Sequence, residues 1–126
     1  MRRLLPVLLL SLAALPAHAA TTQVVIRGSA YEPPTVTVAA GDTVAWTNED
    51  SAEHTVTGDN VAEFDSGRMA KGVTYSRTFP TAGTFAYRCT IHTGMRGTVV
   101  VQAASAVVTT SSTTTSSTTS TSTTTT

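Results

Sequence analysis

The stretch Gly83-Thr84-Phe85-Ala86-Tyr87-Arg88-Cys89-Thr90-Ile91-His92-Thr93-Gly94-Met95-Arg96-Gly97-Thr98-Val99-Val100-Val101-Gln102 reads as a strand, a short loop and a second strand. Phe85, Tyr87 and Cys89 recur at every second position, the period of a strand with one buried face. Cys89 therefore ends a strand facing inward, and the residues after it form a loop at one pole of the fold. On that loop a thiol, an imidazole and a thioether (Cys89, His92 and Met95) stand at three-residue spacing. A ligand loop leaving a rigid strand is a good way to hold a metal's geometry.

The same short-period pattern extends upstream. Gln23–Ile26 is a first apolar run, and Thr35–Ala39 alternates so that Val36 and Val38 share a face. Ala40-Gly41-Asp42 reads as a turn, after which Thr43–Asn48 puts Val44 and Trp46 on one face. Val73, Tyr75 and Phe79 are expected on one face of a further strand, whereas Asn60–Gly72 is irregular with room for a helical turn. No window of useful length has helical periodicity. At least six short strands with regular turns predict an all-β fold, a Greek-key antiparallel β-sandwich.

The two ends differ from this middle. Arg2 and Arg3, the apolar run Leu4–Leu15 and the small-residue pattern Ala17-His18-Ala19 have the form of a secretory signal peptide cut after Ala19 or Ala20. From Thr109 to Thr126 every residue is Ser or Thr, and such a segment has no apolar side chains to offset the entropy of ordering. The expected organisation is a signal peptide over 1–20, one domain over 21–104 and a disordered Ser/Thr-rich tail over 105–126, a stalk, spacer or solubilising segment. No membrane insertion is expected after cleavage, so the protein is placed outside the cytoplasm, either periplasmic or secreted to the cell surface.

Without residues 1–20 the chain keeps six basic residues and eight acidic ones, a formal net charge of 6 − 8 = −2. No basic cluster supports nucleic-acid binding. Six of the eight acids lie between Glu49 and Asp65. They read either as an ordinary solvated face or as a negative bias that would steer a cationic partner.

Past the signal segment the chain has one cysteine (Cys89), two histidines (His54 and His92) and two methionines (Met69 and Met95). A lone cysteine in an exported protein is exposed to oxidation unless something occupies it. Metal ligation is such a use, and both remaining histidines fit it. A thiolate, two neutral imidazoles and a weak thioether suit copper in both of its common oxidation states. Zinc normally takes four firm ligands and seldom a thioether. A Cys–His nucleophile lacks an orienting acid or an oxyanion-hole motif. Met69 is read as a packing residue.

The stretch Tyr87–Val101, together with Gly41-Asp42-Thr43-Val44-Ala45-Trp46-Thr47-Asn48, resembles the cupredoxins of the plastocyanin, amicyanin and pseudoazurin group. The Cys-x-x-His-x-x-Met spacing is most similar to amicyanin. The resemblance covers nearly all of residues 21–102 and implies one copper ion in a type 1 site. His54, Cys89 and His92 are then the equatorial ligands and Met95 the axial one. It further implies that Asn48 ties the first-histidine loop to the cysteine loop. Prolines common in the family are replaced by Glu53 before His54 and by Ile91 and Thr93 around His92, so the loop is expected to be less pre-organised. Glu53 is expected to add negative charge beside a ligand.

The function expected from this set is that of a monomeric blue copper protein, not an enzyme, which shuttles single electrons between redox proteins acting as donor and acceptor. Two other readings use the same chain: copper storage or delivery, and a surface adhesion-type β-sandwich with a vestigial site.

Overall fold

Alternating apolar residues in short runs build two four-stranded sheets, which the computed structural model describes over residues 18–104. The strands are β1 (Thr21–Arg27), β2 (Ala30–Glu32), β3 (Thr35–Ala39), β4 (Thr43–Asn48), β5 (Thr57–Gly58), β6 (Thr74–Thr78), β7 (Gly83–Arg88) and β8 (Arg96–Gln102). One sheet runs β2-β1-β4-β6 and the other β3-β8-β7-β5. The expected β-sandwich is thus present. Its pairing is mixed, because β1 lies parallel to β4 and β3 parallel to β8, while the other ladders are antiparallel. Strand direction leaves the side-chain period unchanged, so alternation in sequence carries no sign of it. The signal segment, apart from residues 18–20, and the Ser/Thr-rich tail lie outside the described residues.

The inward faces follow the sequence pattern. Val24, Ile26, Val36, Val38, Val44, Trp46, Val99 and Val101 are all buried between the sheets. Val73 departs from its expected place: β6 starts one residue later, and Val73 sits in a turn with 43% of its surface exposed. Asn60–Gly72 stays irregular, and its helical tendency is spent in one turn closed by Glu63 N–H donating to the Asn60 carbonyl at 2.9 Å. Gly41 makes the β3–β4 turn at φ 97°, a conformation costly for residues with a Cβ.

Trp46 is the centre of the core. Its indole Nε1 donates to the Tyr87 hydroxyl at 3.0 Å, joining β4 of one sheet to β7 of the other. Tyr87 also meets the edge of Tyr31, with centroids 4.7 Å apart. Tyr87 lies opposite Gly97 in the β7–β8 ladder, and a Cβ at Gly97 would run into the Tyr87 ring. The missing side chain lets the ring lie flat over β8 and reach Trp46. This brace sits two residues before Cys89, so it also fixes the strand that carries the thiol.

Gly97→Ala is expected to destabilise the fold by about 1–3 kcal/mol, the usual cost of overpacking. Gly83→Ala, where the nearest atom would be an ordinary 3.5 Å away, is expected to change it by less than about 0.5 kcal/mol. Urea unfolding of the two variants checks the difference, and equal stabilities would contradict it.

Candidate metal centre

The inward register of β7 delivers Cys89 to the core, where it is only 5% exposed. The chain then turns back at once. Met95 N–H donates to the His92 carbonyl at 3.4 Å, and Cys89 N–H donates to the Met95 carbonyl at 3.0 Å. Gly94, at φ 86°, allows the turn. These two hydrogen bonds close the loop between Cys89 and Met95. Met95 is buried at 5% exposure and lines the same pocket wall as Cys89.

His54 reaches the site from the loop after β4. It is fully buried and held by a two-way backbone bridge: His54 N–H donates to the Met69 carbonyl at 3.2 Å, and Met69 N–H to the His54 carbonyl at 2.8 Å. Its Nδ1 lies 3.9 Å from Cys89 Sγ, and that of the partly exposed His92 lies 3.7 Å from the same sulfur. The two imidazole centroids are 4.6 Å apart. All three donor atoms lie within 4.8 Å of one another.

The donor separations test whether a metal fits. Metal–sulfur and metal–nitrogen bonds of about 2.3 and 2.0 Å meeting at about 120° put sulfur and nitrogen about 3.7 Å apart, whereas a tetrahedral angle gives about 3.5 Å. The observed 3.7 and 3.9 Å are within reach of one ion held by a thiolate and two imidazoles. That is the equatorial set of a type 1 copper site.

The residues around the donors prepare them for this role. Asp50 Oδ2 lies 2.9 Å from His54 Nε2, so the ring donates from Nε2 and turns the Nδ1 lone pair toward Cys89. Asp50 is itself held by the backbone N–H groups of Gly28 and Ser29, each at 2.8 Å in the β1–β2 turn. Those N–H groups keep its carboxyl below the usual carboxylate range. The sulfur is treated similarly. Burial pushes the Cys89 thiol up, but N–H groups of Thr55, His92 and Ile91 and the His54 ring outweigh it, and the thiol falls from 9.0 to about 6. Thr55 N–H lies 3.4 Å from Sγ.

Asn48 is placed differently from its expected role. It is fully buried, but its amide donates to the carbonyls of Ala52 at 2.9 Å and Met69 at 2.8 Å, and its Oδ1 accepts from Asp50 N–H at 3.0 Å. It therefore braces the first-histidine loop internally. The tie to the cysteine loop is Thr55, whose hydroxyl accepts from Thr90 N–H at 2.9 Å while its own N–H faces Sγ. All three hydrogen bonds of the Asn48 side chain go to Ala52, Met69 and Asp50, none of them in the cysteine loop. Thr55 follows a ligand directly, and that adjacency was the only signal for it. Asp50 had the weaker signal of standing four residues before His54. Glu53 does not bring bare charge to the site, since Arg68 pairs with it at 2.9 Å on the surface.

Comparison with known proteins agrees with this geometry. Residues 19–102 match the copper binding proteins of the plastocyanin/azurin family. The chain belongs to that family. It is 42% identical to amicyanin of Paracoccus denitrificans over 78 residues, 57% of this chain and 58% of that protein. It is 38% identical to amicyanin-alpha of Methylorubrum extorquens over 90 residues, 68% of this chain and 76% of the relative. It is also 39% identical to plastocyanin of Scenedesmus fuscus over 85 residues, 57% and 86% of the two chains. The chain thus spans somewhat over half the length of the Paracoccus relative. A solved oxidized amicyanin variant superposes with a TM-score of 0.60 at 39% identity, covering 64% of this chain and 80% of that one. A Cu(I) variant of amicyanin gives the same score, identity and coverage. As a cupredoxin, the chain is a copper-binding protein, and His54, Cys89 and His92 form its type 1 ligand set.

Two measurements check the site as drawn. Asp50→Asn is expected to weaken copper binding by about 10–100-fold, the usual effect of losing a carboxylate behind a metal-bound histidine. Competition with a chelator reads it, and an unchanged affinity would contradict the role given to Asp50. In the copper-free protein the thiolate absorbance near 240 nm is expected to titrate with a midpoint of about 6. Because the folded thiol ionises below the unfolded one, its contribution to stability is complete above about 9.0 and is lost as pH falls through about 6. A midpoint in the ordinary thiol range would contradict the hydrogen-bonding account.

Proposed function

We propose that this protein is an exported carrier of single electrons, with residues 1–20 as signal peptide, 21–104 as the copper domain and 105–126 as a Ser/Thr-rich tail. The observation that carries the reading is the close triangle of Cys89 Sγ and two imidazole Nδ1 atoms, all within 4.8 Å of one another, with Cys89 and His54 buried and His92 partly exposed. Copper, when bound, supplies a one-electron Cu(I)/Cu(II) couple.

The residues do the rest. Cys89, His54 and His92 would hold a copper ion, and Met95, buried beside Cys89, would offer it a weak thioether donor of the kind that tunes a copper potential. Thr55, Asp50 and Asn48 keep the donors in place through hydrogen bonds that do not depend on the oxidation state. Donors that stay still lower the cost of changing charge, which favours fast transfer in both directions. His92 is the ligand that is partly exposed, beside Ile91 at 38% exposure, so the pole offers a small apolar contact around one ligand edge. A small interface suits partners that must part quickly. Redox proteins acting as donor and acceptor are the partners in this reading. The protein works as a monomer outside the cytoplasm and performs no catalysis of its own. No helix among the described residues is long and apolar enough to cross a membrane.

Storage or delivery is the rival use of the same donors, and spectroscopy with exchange kinetics separates them. The Cu(II) protein is expected to be intensely blue, with the colour abolished in Cys89→Ser and retained in Met95→Leu with a shifted potential. Copper in a carrier is expected to stay bound through repeated reduction and oxidation in the presence of a competing chelator. A colourless complex, or loss of copper on each reduction, would contradict electron carriage.

A further inference from the structure

The run Ala17-His18-Ala19-Ala20-Thr21 offers two bonds at which the signal segment ends. A cut after Ala19 has small residues at both key places, Ala17 and Ala19, whereas a cut after Ala20 has His18 at the first of them. The fold separates the two bonds further. His18, Ala19 and Ala20 are exposed and precede β1, so a protease can reach either bond. Ala20 is nevertheless tied to the domain. Its N–H donates to Asp42 Oδ1 at 2.9 Å, and its carbonyl accepts from Thr43 N–H at 2.8 Å. The β1–β4 ladder begins one residue later, with Thr21 beside Thr43.

Asp42 holds the turn that receives Ala20. Its Oδ2 accepts from Ala39 N–H at 2.9 Å, and its own carbonyl accepts from Phe79 N–H at 2.9 Å. It thus stands where β3 of one sheet meets β1 and β4 of the other, at the end of the sandwich away from the metal centre: β4 starts beside it and runs toward the His54 loop. The N–H groups of Ala20 and Ala39 keep its carboxyl below the usual carboxylate range, so it carries its charge. Among the described residues, however, the ion pairs use other carboxylates. The cleft of about 250 Å³ beside Asp42 is lined by His18, Ala19, Ala39, Ala40, Gly41 and Ala104, of which only His18 titrates. Thr43 on β4 and Thr78 on β6, whose hydroxyls bond to each other at 2.8 Å, bring no charge, and neither does Gln102 at the end of β8.

From the Ala20–Asp42 hydrogen bond at this exposed junction, we propose that the signal segment is cut between Ala19 and Ala20, and that the new α-ammonium of Ala20 becomes the ion-pair partner of Asp42. Hydrolysis by a signal peptidase adds one water across the peptide bond. Ala19 leaves as a carboxylate and takes His18 with it, while the nitrogen stays on Ala20 and is protonated to an ammonium. That nitrogen need not move, since it already lies 2.9 Å from Oδ1. A hydrogen bond from a neutral amide is thereby replaced by one between opposite charges. The pair clamps the first residue of the mature chain to the turn between β3 and β4, so processing itself strengthens the domain. A cut after Ala20 would remove this donor. The inference rests on the export reading and moves its boundary by one residue, keeping Ala20 in the mature chain.

N-terminal sequencing of the protein exported by cells that express the full chain is expected to read Ala20-Thr21-Thr22-Gln23. Urea unfolding of the copper-loaded protein then compares this chain with one acetylated selectively at its α-amine, each with and without Asp42→Asn. Acetylation keeps an N–H donor and removes the charge. It is expected to raise the unfolding equilibrium constant about two- to fivefold near pH 6 when Asp42 is present, the range of an exposed ion pair, and to leave it unchanged in the Asp42→Asn chain. The α-amine ordinarily titrates at about 7.7–8.0, and pairing with Asp42 raises that value. The added stability is therefore complete below about 7.7 and is lost as pH rises through the higher folded value. Differences among the four chains cancel the titration of the metal centre, and only the unmodified chain with Asp42 should show this step. A mature chain that starts at Thr21 or elsewhere would overturn the proposal. So would an effect of acetylation that is the same with and without Asp42→Asn. Recovery of the uncut chain alone would contradict the export reading itself, and the proposal with it.

Discussion

The sulfur of Cys89 is the point on which the structure depends, because parts of both sheets converge there. β7 brings it inward, the loop after β4 brings Thr55 N–H to 3.4 Å and His54 Nδ1 to 3.9 Å, and the pole loop brings His92 Nδ1 to 3.7 Å. Each approach is secured one step further out. Tyr87 is locked to Trp46 by a buried hydrogen bond, His54 by Asp50 and by the bridge to Met69, and the pole loop by its turn at Gly94. The thiol falls to about 6 for the same reason that the site suits a metal: N–H groups converge on the place where negative charge must sit.

The short loop between Cys89 and Met95 has no proline and is held by hydrogen bonds. Proline restricts a loop through its own backbone, whereas hydrogen bonds restrict it through its neighbours. Here Thr55 does the neighbour's part with two groups, its N–H toward Sγ and its hydroxyl toward Thr90 N–H. The hydroxyl continues to Thr57 at 2.9 Å and from there to Asp65 at 3.0 Å, so the constraint is carried into the irregular segment beyond β5. That segment has no regular structure of its own and is ordered by what it holds.

How much of this could be read from the chain varies with range. Alternation placed Val36, Val38, Val44, Trp46, Tyr87 and Cys89 inward, since burial on one sheet face imposes a period of two and leaves a visible trace. The parallel pairing of β1 with β4 and of β3 with β8 left none. Val73 was misplaced because its apolar side chain fitted the period, while the strand starts only at Thr74. At the site, the donors were legible as rare residue types at useful spacing. Their supports were not, because Asp50, Thr55, Gly28 and Ser29 are common surface residues whose role arises from distant segments brought together. Asn48 shows the limit of resemblance: its position was right, but its hydrogen bonds run to Ala52 and Met69 and not to the cysteine loop. The clustered acids were open to two readings, and their spacing gave no sign of cations that lie far away in sequence, Arg27 for Glu49 and Arg88 and Arg96 for Asp59.

The central claim is that the fold, not the metal, sets the donor triangle. High-resolution crystal structures of the copper-free and copper-loaded protein test it most directly. The account predicts that Cys89 Sγ and the Nδ1 atoms of His54 and His92 coincide in the two within about 0.5 Å, the precision a pre-organised site requires. A copper-free structure with His54 or His92 swung out of the triangle, and drawn in only on loading, would contradict it.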